Sequence, residues 1–179
     1  MRHGKEIGMD IRIYGLVEDS IVDGPGYRFA VFTQGCPHAC PGCHNPESHS
    51  FEAGRVMDTR DIMAHFDGNP LMDGITLSGG DPLCQPEACL ELAKAAHERH
   101  LTVWCYTGYT WEALQKEANP ARLALLEEVD VLVDGPFLLQ ERSLALQYCG
   151  SRNQRLIDVK RTLEAGEVVN WQPPTWDVL

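Results

Sequence analysis

Three thiols stand close together in the run Cys36-Pro37-His38-Ala39-Cys40-Pro41-Gly42-Cys43. Two prolines and a glycine tighten the loop, so the sulfurs can converge on one centre. Thiolates are soft ligands and favour zinc or an iron–sulfur cluster. Structural zinc wants four closed ligands, and His38, His44 or Cys84 could supply the fourth. A [4Fe-4S] cube normally takes four cysteines, so three would leave one iron open to a small molecule. Spacing alone leaves both readings standing. The other cysteines carry less: Cys89 falls in a helical pattern, Cys105 lies inside a strand and Cys149 precedes a glycine. Each reads as the small buried hydrophobe that cysteine often is.

Other runs carry weaker signals. Ser78-Gly79-Gly80-Asp81-Pro82 has paired glycines, which let a backbone approach a ligand closely. A strand-to-helix turn would use the same residues, with Asp81 as a cap. Asp23-Gly24-Pro25-Gly26, with Arg28 beyond it, reads alone as a Pro-Gly turn. Trp104–Tyr109, Val131–Pro136 and Gly150–Arg155 each fit a strand end and its turn. Only Gly150–Arg155 is dense enough in polar donors to suggest a ligand contact.

The elements that must position these runs follow from pattern. Strands are expected at Tyr27–Gln34, Gly74–Leu77, Leu101–Tyr106, Asp130–Val133 and Leu156–Val159, with an extra one at Ile11–Val17. Helices are expected at Thr59–Phe66, Pro86–His100, Thr110–Ala118 and Pro120–Glu128, the last two broken at Asn119-Pro120. This alternation argues for an α/β fold with a parallel sheet. At 179 residues the chain is short of the ~250 typical of an eight-fold barrel. The expectation is a partial (β/α) barrel of parallel strands, in one domain over residues 1–179. Residues 1–9 read as a flexible tail, and translation starting at Met9 is compatible with that. Cysteine loop, SGGD, TGY and DGP each follow a strand, and parallel α/β folds bind ligands beyond the carboxyl ends of their strands.

Composition bounds the rest. Lys and Arg number 15 against 26 Asp and Glu, a net charge of −11, which argues against a general nucleic-acid binder. No apolar run approaches the ~18–20 residues of a membrane span, and the first ten residues lack an apolar signal core. The expected setting is cytoplasmic and reducing, where clustered cysteines point to metal or catalysis rather than disulfides.

The ordered set DGPGxR, CxxxCxxC, SGGD, WxYTGY, VLVDGPF and GSxNQR, from about Ile13 to Val159, closely resembles the activating proteins of anaerobic ribonucleotide reductase. These form part of the glycyl-radical-activating branch of the radical S-adenosylmethionine (SAM) enzymes. The resemblance implies that Cys36, Cys40 and Cys43 ligate a [4Fe-4S] cluster whose fourth iron chelates SAM. Ser78, Gly79 and Gly80 would meet the methionine amino group, with Asp81 orienting that loop. Gly42 stands where the wider superfamily has an aromatic residue, which leaves the adenine to His44 or backbone near Gly42. Asp23 and Arg28 become candidates for holding the partner's glycine loop or shaping the SAM site. The implied chemistry is reductive cleavage of SAM to a 5′-deoxyadenosyl radical that takes a Cα hydrogen from one glycine of the reductase. Flavodoxin or ferredoxin would supply the electron. The alternatives are an activase of another glycyl radical enzyme, of the pyruvate formate-lyase type, and a non-catalytic zinc-binding interaction module.

Overall fold

The strands form where β-branched and aromatic residues cluster, and four of the five helices begin at a side chain that caps them. In a computed structural model describing residues 8–174, β1 (Asp10–Ser20), β2 (Arg28–Thr33), β3 (Arg55–Asp58), β4 (Gly74–Gly79), β5 (Thr102–Tyr106), β6 (Val131–Asp134) and β7 (Arg155–Asp158) make one sheet in the order β3-β1-β2-β4-β5-β6-β7. The helices are α1 (Thr59–Met63), α2 (Pro86–Glu98), α3 (Trp111–Glu117), α4 (Pro120–Glu127) and α5 (Val159–Ala165). Asp58 caps α1 by accepting from the Arg60 N–H. Asn119 caps α4 by accepting from the N–H groups of Ala121 and Arg122. Both are the short polar side chains that N-caps prefer.

The α/β class is as expected, but the sheet is mixed. β2, β4, β5 and β6 run parallel, whereas β1 pairs antiparallel with β2 and β3, and β7 pairs antiparallel with β6. The reason lies in the connections. A parallel neighbour needs a crossover of a dozen or more residues, usually a helix. The segment from β6 to β7 holds only a single turn of 3-10 helix at Leu139–Glu141. Two elements were not anticipated. β3 is a four-residue edge strand, exposed at Arg55 and Val56 and half-buried at Met57 and Asp58. α5 starts directly where β7 ends, with Asp158 as both last strand residue and N-cap. Of the expected flexible tail, residues 1–7 lie outside the described residues. Met9 is tied to Thr59, its N–H donating to Thr59 Oγ1 at 2.9 Å and its carbonyl accepting the Thr59 N–H at 2.8 Å.

Strand side chains alternate between faces, and the sheet uses both. Ile75, Leu77, Val103, Cys105, Leu132 and Ile157 join Leu92, Ala96, Leu114 and Leu125 of the helices in the main core. On the other face Trp104, Val131 and Val133 gather Tyr106, Tyr148, Leu156 and Trp171. Arg28 and Thr76 share that second face by register, and the Asp23–Gly26 turn lies over them.

Candidate cluster and cofactor site

The loops after the four parallel strands meet at one cavity of about 440 Å³. β2 delivers Cys36, His38, Cys40, Cys43 and His44; β4 delivers Ser78, Gly79 and Gly80; β5 delivers Tyr106, Thr107 and Gly108; β6 delivers Gly135 and Phe137. Asp23 and Val22 line it from the β1–β2 turn, and Tyr148, Cys149 and Gln154 from the segment before β7. The volume falls within the ~300–1,000 Å³ of small-molecule sites.

The root of the cysteine loop is fastened by backbone bonds. The Gly35 N–H donates to Ser48 O at 2.7 Å and the Cys36 N–H to His49 O at 3.0 Å. Gln34 sends its amide N–H to Glu47 O and Ser50 O, while Gln85 bridges Arg12 O and Gln34 O. Within the loop, Ala39 and Gly42 take left-handed φ of 47° and 76°, and the Cys43 N–H closes onto Cys40 O at 3.1 Å. All three cysteines are partly exposed to the cavity, and none is in a disulfide. Burial pushes the Cys36 thiol up to about 11, against the pull of the His38 backbone N–H on its sulfur. Among the described residues no three His, Cys, Asp or Glu side chains gather as they would around one ion. Zinc would require its sulfurs to meet about one point at ~2.3 Å. A cube takes each thiolate on a different iron and so accepts sulfurs spread along a loop.

The SGGD loop packs against β2 without room for side chains. A Cβ on Gly79, whose φ is +92°, would come within 2.5 Å of Thr33 N, and one on Gly80 would collide with Gly35 O. The carboxylate of Asp81 is fully buried and faces protein donors. It accepts from Thr107 Oγ1 at 3.0 and 2.9 Å, from the Gly108 N–H at 3.0 Å, from the Leu83 N–H at 3.0 Å, and pairs with His38 Nε2 at 2.6 Å.

The other expected site residues separate. His44 lines the cavity beside Phe137, ring centroids 5.5 Å apart. Gly42 backs onto Leu139 and Phe137, and a Cβ there would stand 2.9 Å from Leu139 Cδ1. Asp23 faces the cavity and accepts from Ser20 Oγ at 2.5 Å. Arg28 is outside the cavity wall and completely buried. Its guanidinium donates to Thr76 Oγ1, Pro25 O, Thr102 Oγ1, Ile75 O and Thr102 O, and Trp104 lies 5.7 Å beneath it. Burial lowers its pKa to about 10. Its place in the motif is explained by Gly24, where a Cβ would come 2.7 Å from Arg28 Cδ: the arginine is the bed on which the DGPG turn lies.

Of the Gly150–Arg155 run, Gly150 and Gln154 line the cavity, while most of its side-chain hydrogen bonds are made to protein. Gln154 Oε1 accepts from the Gly150 and Ser151 N–H groups and its Nε2 donates to Gly135 O. Asn153 donates to Pro136 O, and Arg155 pairs with Asp134 and Glu112. Gln154 and Asn153 thereby staple the β6–β7 connection, and Arg155 ties its end to β6 and α3. Cavity residues outside the runs that the sequence singled out include Val22, Asn45, Leu146 and Tyr148, and Cys149, which read as a buried hydrophobe, borders the cavity as well. Their common signal was position in a loop between two strands.

Residues 22–157 match the family described as a 4Fe-4S single cluster domain, so the thiol-bearing cavity lies within an iron–sulfur domain and the zinc alternative is set aside. Curated relatives narrow this further. A protein of Haemophilus influenzae is 37% identical over 144 residues, covering 75% of this chain and 89% of the relative. One from Salmonella typhimurium is 34% identical over 143 residues, covering 75% and 90%, and one from Enterobacteria phage T4 is 33% identical over 144 residues, covering 75% and 86%. All three are named anaerobic ribonucleoside-triphosphate reductase-activating protein, and the chain belongs to that family. Among solved structures, QueE from Escherichia coli superposes on 61% of this chain and 58% of its own with a TM-score of 0.48 and 15% identity, too distant to bear on the reading. Among the described residues no helix is long and apolar enough to cross a membrane.

Proposed function

We propose that this chain activates an anaerobic ribonucleoside-triphosphate reductase by placing a glycyl radical on it, using a [4Fe-4S] cluster and SAM. The observation that carries this is the meeting of CxxxCxxC, SGGD and TGY loops at one cavity beyond the parallel strands. The donor set fits the groups: three soft thiolates on one loop, with Cys149 on a different wall of the cavity, beside two glycines whose backbone no side chain screens. When bound, cluster and SAM supply one-electron cleavage of a C–S bond and a carbon radical able to abstract hydrogen; the protein positions them.

Cys36, Cys40 and Cys43 hold the cluster. Ser78, Gly79 and Gly80 offer backbone to the amino group of SAM, with Asp81 fixing that loop from behind. Gly42 lets its turn close against Leu139 and Phe137, and His44 with Phe137 forms the apolar-aromatic wall for the adenine. Asp23, at the mouth, meets the partner's glycine-bearing segment, while Arg28 acts by holding the turn that presents it. The sheet serves as an open, partial barrel, with room for a peptide to enter. The electron comes from a flavodoxin- or ferredoxin-type donor, and the setting is cytoplasmic.

The test is direct. The chain, reconstituted and reduced without air, should convert SAM to 5′-deoxyadenosine and methionine, and with the cognate reductase it should produce a glycine-centred radical by electron paramagnetic resonance (EPR). No cleavage product under verified anaerobiosis would sink the reading. Cleavage without a radical on that reductase, but with one on a pyruvate formate-lyase type partner, would move the chain to the alternative branch.

A further inference from the structure

Between Cys36 and Cys43 the chain has little to hold it. Among the described residues, His38 is the only residue from 37 to 43 whose hydrogen bond reaches outside the loop. The next residue, Ala39, sits at φ 47°, a left-handed conformation that costs a non-glycine residue roughly 1–2 kcal/mol. Such a conformation persists only where its surroundings impose it. The His38 ring is held on two sides. Its Nε2 lies 2.6 Å from Asp81 Oδ2, with the histidine side chain 15% exposed and the aspartate not at all. Its face meets the Tyr109 ring edge to face, centroids 4.5 Å apart at 77°. Gly108 is shaped to receive it, since a Cβ at that position would collide with the imidazole. The same carboxylate holds Thr107, Gly108 and Leu83, and the Asp81 N–H donates to Gly35 O at 2.9 Å.

We propose that His38 is a positioning residue that, through the buried Asp81 carboxylate, locks the thiolate loop in register with the SGGD and TGY loops. It ligates nothing itself. It keeps Cys36 and Cys40, on either side of it, at a set height above the glycines that receive the small molecule. The inference rests on Cys36, Cys40 and Cys43 being the cluster ligands, and it extends the role of the SGGD acid from its own loop to the thiolate loop beside it.

The test uses the full chain, first without cluster and then loaded. In the cluster-free protein, alkylation by N-ethylmaleimide is followed cysteine by cysteine with mass spectrometry. For His38→Ala the rate at Cys36 should rise on the order of 10-fold, the size expected for loss of a charge-assisted hydrogen bond that opposes local opening. Cys89 and Cys105, buried in the main core, should stay protected. His38→Gln, whose amide N–H can take the place of Nε2–H, should stay within about 3-fold of the parent, because it restores the donor. In the loaded protein, the change that SAM causes in the EPR spectrum of the reduced cluster should be lost in the Ala variant and kept in the Gln variant. An unchanged rate at Cys36 in His38→Ala, or a Gln variant that behaves like Ala, overturns the proposal. If the Ala variant unfolds, exposing Cys89 and Cys105, the Gln variant decides alone: parent-like values support the lock and Ala-like loosening refutes it. A cluster retained in Cys40→Ala would instead refute the ligand assignment, independently of the alkylation result.

Discussion

At the scale of single residues, the seven cysteines divide by surroundings rather than by type. Cys36, Cys40 and Cys43 border the cavity, with Cys149 on another wall of it; Cys84 is half-buried, and Cys89 and Cys105 are sealed in the core, where burial pushes their thiols up. Cys40→Ala should therefore lose the SAM-cleaving cluster, measured as iron and sulfide per chain and visible absorbance after anaerobic reconstitution. Cys89→Ala should keep it and cost only about 1 kcal/mol of stability, the scale of a small core truncation. Equal iron content in the two would refute the assignment. Arg28 makes the opposite point: a charged residue in a family motif, saturated by five protein acceptors under the DGPG turn. Arg28→Ala should destabilise the fold by about 3 kcal/mol or more in urea unfolding, since it opens a void and orphans buried carbonyls. A stability within error of the parent would show that the turn does not depend on it.

At the scale of elements, the strand ends decide what the loops can do. β4 finishes at Gly79 in a left-handed conformation pressed on the backbone of β2. Gly79→Ala should cost about 2–3 kcal/mol and weaken SAM binding in equilibrium dialysis. Normal stability with normal SAM binding would contradict the close packing. At the opposite end of the sheet, His97 joins the end of α2 to the α4–β6 connection, pairing with Glu128 and Asp130 at 3.0 Å each. Partial burial opposes the charge, but the two carboxylates outweigh it and the histidine pKa is raised. A raised folded-state pKa gives stability that is full below the unfolded value of ~6.5 and fades as pH climbs through the folded value. His97→Ala should thus cost up to ~1 kcal/mol at pH 6 and less at pH 9, discounted because the pair is part-exposed. An equal loss at both pH values would show that packing, not charge, is at work.

At the scale of the whole molecule, the main core does not pass through the cysteine loop. Leu77, Val103, Leu132 and the helix residues against them form it without Cys36, Cys40 or Cys43. The chain should therefore stay folded when the cluster is removed, unlike a small zinc module that unfolds without its metal. Far-ultraviolet circular dichroism of the chelated protein should match that of the loaded one, with Tm lower by only a few degrees. Loss of cooperative unfolding on chelation would show that the cluster is part of the core.

The sequence by itself determined the α/β class, the positions of most strands and helices, the thiol loop and the family, because periodicity and motif spacing are local properties of the chain. It did not determine strand direction at the sheet's edges: β1, β3 and β7 run antiparallel because their connections lack crossover helices. Nor did it separate side chains that reach the cavity from those that brace it. Asp23 and Arg28 lie in one motif, yet one faces the cavity and the other is buried beneath Gly24. Gln154 and Asn153 lie in a run that read as a ligand contact, yet their amide N–H groups donate to Gly135 O and Pro136 O of their own loop. His38 read only as a spare zinc ligand until Asp81, 2.6 Å away, gave it a partner. Those outcomes rest on which distant segments share a face or a carboxylate, and only the folded chain brings such segments together.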